Sequence, residues 1–213
     1  MEGKLVLLSG GIESTYCLYK ALQEDYPVHV HHINMINRDM RHIEEKRAVY
    51  FILDELKIMG YSFSYSETTV DFSMAEQSMP FDEDVTIFIA AKIAEGLHFD
   101  VVTFYEGSNK DDFEKESVKK RFELRGDIYE YFHNCHYNVG ERVQHINIEF
   151  PCKDMTKEDV WNELPEELRV LTWSCRHPYL GNICGKCEAC IERSKFDNTS
   201  ISTTSDQPGS STL

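Results

Sequence analysis

The sequence predicts a doubly wound α/β domain, built on a mainly parallel sheet of about five strands and followed by a short C-terminal zinc-binding segment. Three observations carry this. Short apolar runs alternate with amphipathic stretches of ten to twenty residues, the pattern of strands joined by crossover helices. The first apolar run breaks into a glycine turn, Ser9-Gly10-Gly11, where such sheets bind ligands. Four of the seven cysteines (Cys175, Cys184, Cys187 and Cys190) crowd into sixteen residues near the end.

Taken in order, Lys4 to Leu8 reads as a buried strand and Ser14 to Gln23 has helical spacing, closed by Pro27. Val28 to Met35 alternates as a second strand. Asp39 to about Met59 is helical and ends at Gly60, and Tyr61 to Glu67 forms the third strand. Asp84 to Leu97 is a helix with acids at its start and Gly96 near its end, and Phe99 to Tyr105 is the fourth strand. Phe113 to Cys135 reads as a helix and Val143 to Phe150 as the fifth strand. Right-handed crossovers then cover the sheet on both faces, a Rossmann-like layer. The expected division is an α/β domain over 1–165, a cysteine segment over 166–197 and a disordered Ser/Thr/Gly/Pro-rich tail over 198–213.

At 213 residues, with 41% hydrophobic and 28% charged residues, the chain is long enough for one domain with its own core. It has no apolar run of membrane-spanning length and no basic-then-apolar leader, so a cytoplasmic location is expected. Thirty-seven acids against 22 bases give a net charge of −15, which repels a phosphate backbone and favours a small-molecule partner over nucleic acid. The five bases between Lys115 and Arg125 read first as a solvated helix face.

Ser9-Gly10-Gly11-Ile12-Glu13-Ser14-Thr15 joins strand to helix. Glycines let the backbone approach a ligand, the helix start presents N–H groups and a positive dipole end, and three hydroxyls add donors. A plain glycine turn with Ser14 as a helix cap is the alternative. The loop lacks the lysine of the longer P-loop. In the cysteine cluster, two overlapping CxxC pairs with Gly185 between them suit a tetrahedral, fully ligated zinc, structural rather than catalytic. An iron–sulfur cluster is the main competitor, and His177 reads as a loop residue.

The loop resembles the SGGxDS signature of the PP-loop ATP pyrophosphatases, with Glu13 in place of Asp. Joined to the Cys-x8-Cys-Gly-x-Cys-x-x-Cys cluster, it makes the chain similar to the 7-cyano-7-deazaguanine synthase (QueC) family over roughly residues 3 to 197. Leu171-Thr172-Trp173-Ser174-Cys175 resembles the family's entry to the zinc site, Pro151 to Lys157 its T-P-L-x-D-x-T-K segment, and Arg41-His42 with Glu45 its R-H-x-x-E. The resemblance implies ATP-dependent conversion of 7-carboxy-7-deazaguanine to the nitrile with ammonia, through an adenylate, using ATP, magnesium and zinc. It implies that Ser9 to Thr15 hold the pyrophosphate and that Glu13 keeps a magnesium-related carboxylate. Arg41 and Lys110, basic residues near strand ends, are the candidates for stabilising charge at the α-phosphate, with a solvated helix start the alternative for Arg41 and His42. A homodimer is also expected, as relatives often dimerise. The chain departs from the family at three places. The extra methylene of Glu13 moves its carboxylate by roughly 1.5 Å. Met79 to Asp84 replaces a Pro-Gly-Arg-Asn element, and Gly107 to Glu116 replaces a Tyr-Pro-Asp-Cys-Arg substrate loop of which only Gly-Ser-Asn remains. A PP-loop enzyme with another carboxylate acceptor, and a nucleotide-binding module that has lost catalysis, are the alternatives.

Overall fold

The computed structural model describes residues 1–37, 39–74, 82–116, 118, 124–128, 131 and 144–197, with the side chains of 82–84 excepted. Within them lies one five-stranded sheet, all parallel, of strands β1 (Glu2–Leu7), β2 (Val28–Ile36), β3 (Ser64–Asp71), β4 (Val101–Tyr105) and β5 (His145–Glu149). Their spatial order is β3-β2-β1-β4-β5. The chain therefore winds outward from β1 in one direction, returns, and winds out in the other. The reversal falls between β1 and β4, and the carboxyl ends of these two strands define the ligand crevice.

The helices are α1 (Ile12–Leu22), α2 (His42–Ile58), α3 (Asp82–Gly96), α4 (Lys110–Glu114), α5 (Lys157–Glu163), α6 (Glu166–Arg169) and α7 (Glu188–Arg193). One core packs Val6, Leu8, Val28 and Val30 against α1, α2 and α5 through Leu18, Ile52, Leu56 and Trp161. A second, on the other face, packs Leu5, Val102 and Phe104 against Ala90, Ala91 and Ala94 of α3. The three alanines let α3 lie close on the sheet. Both faces of β1 are thus covered, which is why its central residues form an unbroken buried run.

Several boundaries differ from the sequence reading for identifiable reasons. The second helix starts at His42 rather than Asp39, because Met40 takes a left-handed conformation (φ 54°) that helical backbone cannot contain. The third strand is shifted to Ser64–Asp71, so Tyr61 and Phe63 precede it in a loop while packing on the core. β3 is an edge strand, half-exposed along its length, and its polar residues carry little alternation. Across it, His29 bonds Ser64 and Ser66 at 2.7 and 2.8 Å, and His31 bonds Ser66 at 2.7 Å, which seats buried imidazoles in the sheet. Much of the helix expected over Phe113 to Cys135, three of the five bases between Lys115 and Arg125, residues 79–81 and the tail from 198 lie outside the described residues. Of the two described bases, Lys115 is exposed, whereas Arg125 is buried and pairs with Glu106 instead of facing solvent as the solvated helix face expected. No helix among the described residues is long and apolar enough to cross a membrane.

Candidate functional site

Ser9, Gly10 and Gly11 leave the carboxyl end of β1 at the reversal point, and α1 begins at Ile12. Two tight contacts make the turn a glycine turn. Gly10 has φ +82°, and a Cβ there would stand 2.9 Å from the backbone oxygen of Glu45 and 3.1 Å from Ala48 Cβ. Gly11 caps α1 in an extended conformation with no side-chain cap, so the first-turn N–H groups have no carbonyl partner within the helix. The hydroxyls order the loop internally. Thr15 Oγ1 and Ser14 Oγ donate to Gly11 O at 2.7 and 3.1 Å. Ser14 Oγ then accepts from the Ser9 amide (3.2 Å) and pairs with Ser9 Oγ (2.9 Å), which accepts from the Gly11 amide (3.2 Å). The result is a preformed cradle with the helix dipole behind it.

Glu13 turns its carboxylate into this cradle's edge. Asn109 Nδ2 donates to Glu13 Oε1 at 3.0 Å, and Lys157 Nζ lies 3.8 Å from the same oxygen. Burial raises the Glu13 carboxyl above its ordinary value, against the opposing pull of Lys157, its own backbone N–H and Asn109. Lys157, the first residue of α5, bonds Glu192 Oε2 at 2.6 Å. Burial lowers its ammonium, but Glu13 and Glu192 together carry it above the ordinary lysine value.

A cleft of about 380 Å³ opens over the loop, lined by Ser9, Gly11, Glu13, Lys157, Trp173 and Arg176 among others. Arg41 reaches the cleft and pairs with Glu45 at 3.2 Å. Lys110 does not: it starts α4, is exposed, and lies outside the cleft lining. The lysine that does line the cleft, beside Glu13, is Lys157.

The four sulfurs of Cys175, Cys184, Cys187 and Cys190 all lie within 4.8 Å of one another, with Cys184 and Cys190 at 3.9 Å. A tetrahedral ion with ~2.3 Å bonds to sulfur needs edges of ~3.8 Å, so this set can hold one metal ion. Gly185 takes φ +68° to turn the knuckle. Burial pushes the Cys184 thiol up, but the N–H groups of Lys186 and Cys187 outweigh it and bring it down to about 6. Burial raises the Cys190 and Cys175 thiols. His177 stands apart with its ring 3.8 Å from Asp39 and gives only its backbone N–H to Cys175. Trp173 ties the cluster to the loop: its amide donates to Gly10 O (2.8 Å) and its indole Nε1 to Cys175 O (2.9 Å).

Comparison with known proteins identifies the family. Residues 125–199 match the family model described as queuosine biosynthesis protein QueC. A 7-cyano-7-deazaguanine synthase of Leptospira interrogans is 26% identical over 93% of this chain and 88% of its own. That of Oceanobacillus iheyensis is 30% identical over 89% of this chain and 91% of its own. The chain belongs to the QueC family. Among solved structures, NMN synthetase from Francisella tularensis aligns with a TM-score of 0.46 at 12% identity, over 86% of this chain and 70% of that one.

Seen as a QueC-family chain, the Leu171–Cys175 motif gains a physical reason, since Trp173 bonds the Ser9–Gly11 turn and the cysteine knuckle at once. Sequence reasoning assigned no role to Asn109, Lys157, Arg176 or Glu192. One signal for Lys157 was present: Thr156 and Asp159 form a reciprocal capping box, which announces a helix at 157.

Proposed function

We propose that this chain is an ATP-dependent C–N ligase that converts 7-carboxy-7-deazaguanine to the nitrile with ammonia. The observation that carries the reading is the ordered glycine loop at the β1/β4 reversal, opening directly into a cleft that Lys157 and Arg41 enter. In this reading the α1 amino end and the Ser9–Thr15 hydroxyls bind the β and γ phosphates, which must leave as pyrophosphate. Lys157 and Arg41 offset the negative charge that builds at the α-phosphorus when the substrate carboxylate attacks it. Ammonia then adds to the acyl carbon and AMP departs, giving the amide. A second adenylation, on the amide oxygen, lets AMP carry that oxygen away as the nitrile forms. The partners are therefore a 7-deazapurine and ammonia, with no nucleic acid. Holding both reactants in one cleft supplies the proximity that a two-substrate adenylation requires.

Magnesium would enter with ATP and shield its phosphates. The four cysteines would hold a zinc ion, whose contribution is structural, fixing the Leu171–Asp197 segment that brings Trp173, Arg176 and Glu192 to the cleft. Purified protein incubated with ATP, magnesium, ammonium and 7-carboxy-7-deazaguanine should yield AMP, pyrophosphate and the nitrile by mass spectrometry. AMP formed only with other carboxylic acids would replace the substrate. Absence of ATP binding in metal-replete protein would overturn the enzymatic reading altogether.

A further inference from the structure

The loop after β4 grips the start of α1 at two points. At Gly107 a Cβ would stand 3.0 Å from Ser14 N and 3.1 Å from Glu13 C, so the two backbones touch. Two residues on, Asn109 is fully buried and uses both ends of its amide. Its Oδ1 accepts from Asp112 N (3.2 Å) and caps α4, while its Nδ2 donates to Glu13 Oε1 across a separation of 96 residues. Lys157 approaches the same oxygen from α5. The other oxygen, Oε2, is turned toward the phosphate loop, 3.9 Å from where a Cβ on Gly11 would sit.

We infer that Asn109 is a positioning residue that fixes the rotation of the Glu13 carboxylate, tying back Oε1 and presenting Oε2 alone to the ligand in the loop. A glutamate at this position has one more rotatable bond than an aspartate, and a freely rotating arm of that length would reach into the cradle in several ways. The Asn109 amide removes that freedom, and the buried cap on α4 holds the amide itself in place. This inference rests on the reading of the cleft as the nucleotide site, and it gives the surviving Gly-Ser-Asn of the loop after β4 a specific task.

Two variants separate this role from helix capping. Asn109→Asp and Asn109→Ser both retain an oxygen that can cap α4. Neither presents a donor to Glu13: the first sets a carboxylate against it, and the second is too short to reach. Wild type and both variants would be compared in kcat and KM for ATP, with 7-carboxy-7-deazaguanine and ammonium saturating. Loss of such an outer-sphere partner lowers activity by about 10–100-fold. We expect that loss in kcat, measured at a temperature where both variants remain folded. A second readout needs no turnover. In ligand-free protein, Asn109→Asp should lower the urea midpoint, and Glu13→Gln should raise it by more in the Asn109→Asp background than in wild type, because the reversed pair can bond again. Wild-type kinetics in both variants, or a midpoint gain from Glu13→Gln no larger in the Asn109→Asp background than in wild type, would overturn the inference. If wild type itself fails to turn over, the proposed reaction falls, while the urea cycle still decides the role of Asn109.

Discussion

Replacing Gly10 by alanine tests whether the glycine loop after β1 is seated on α2 as the structure describes. The left-handed backbone at φ +82° costs an L-residue roughly 1–2 kcal/mol. The added methyl would also stand 2.9 Å from the Glu45 carbonyl and 3.1 Å from Ala48 Cβ. The first of these is backbone inside a helix and cannot swing away, so overpacking adds about 1–3 kcal/mol. Gly60 provides the comparison, since its φ is +93° but nothing lies within 4 Å of its would-be Cβ. Gly60→Ala should therefore pay only the conformational share. For a chain of this size each kcal/mol moves the thermal midpoint by roughly 2–4 °C. Gly10→Ala should then melt about 2–12 °C below Gly60→Ala, and it alone should lose ATP affinity, measured by calorimetric titration. Gly96, with neither a left-handed φ nor a neighbour, should accept alanine without loss. Equal midpoints for the Gly10 and Gly60 variants would refute the contact between loop and α2, and with it the claim that the cradle is preformed.

Four further outcomes follow from the same geometry. Burial holds the Glu13 carboxyl above its ordinary value, so its contribution to stability is complete below the unfolded value and is lost as pH rises through the folded one. Glu13→Gln should accordingly raise the urea midpoint of ligand-free protein at pH 7 and leave it nearly unchanged at pH 4; a lower midpoint at pH 7 would contradict the burial argument. Lys157→Met should weaken ATP binding tenfold or more in Kd, the scale of about 1.5–3 kcal/mol for a bond to a charged group, while Lys110→Met should leave it unchanged. Stripping metal with a strong chelator should lower the thermal midpoint, and one equivalent of zinc should restore it; protein with no bound metal and an unchanged midpoint would exclude a structural ion. Burial, then neighbouring His29 and His32, bring the His31 imidazole down to about 4, so stability is complete above pH 6.5 and declines as pH falls toward 4. His31→Gln should flatten that decline in a urea series.

What could be read from the sequence was what is encoded locally. The break from Leu8 into Ser9-Gly10-Gly11 changes the hydrophobic period within a few residues, and it marks the strand–loop–helix unit at the reversal point. The four cysteines meet because their spacing is short enough for one knuckle to close on itself. β3 was misplaced because a half-exposed edge strand bears polar residues on both faces and so lacks the alternation that marks a strand. Lys110 was named as a candidate and Lys157 was not, for a different reason. Both sit at the first position of a short helix behind a capping box, Asn109–Asp112 in one case and Thr156–Asp159 in the other. Local sequence therefore cannot rank them. The difference comes from Glu192, two residues beyond Cys190, which bonds Lys157 at 2.6 Å and holds it at the cleft.

The same logic explains why the site is spread over distant segments. A glycine loop at a helix start binds any anion; what makes this one selective must come from the groups arranged around it. Here those groups arrive on three separate arms: the β4 loop with Gly107 and Asn109, α5 with Lys157, and the cysteine segment with Trp173 and Glu192. Each arm bonds the loop or Glu13 directly or through one side chain, so displacement of any one is felt at the same carboxylate. Glu13 is the point at which these arms converge, and its burial is costly to the folded chain. Folding would not favour a buried carboxylate raised above its ordinary value, and such a group at a cleft is where functional residues concentrate. The substitution from the family's aspartate therefore reads as a longer carboxylate held by compensating bonds from Asn109 and Lys157, and the double variant at positions 13 and 109 tests that compensation directly.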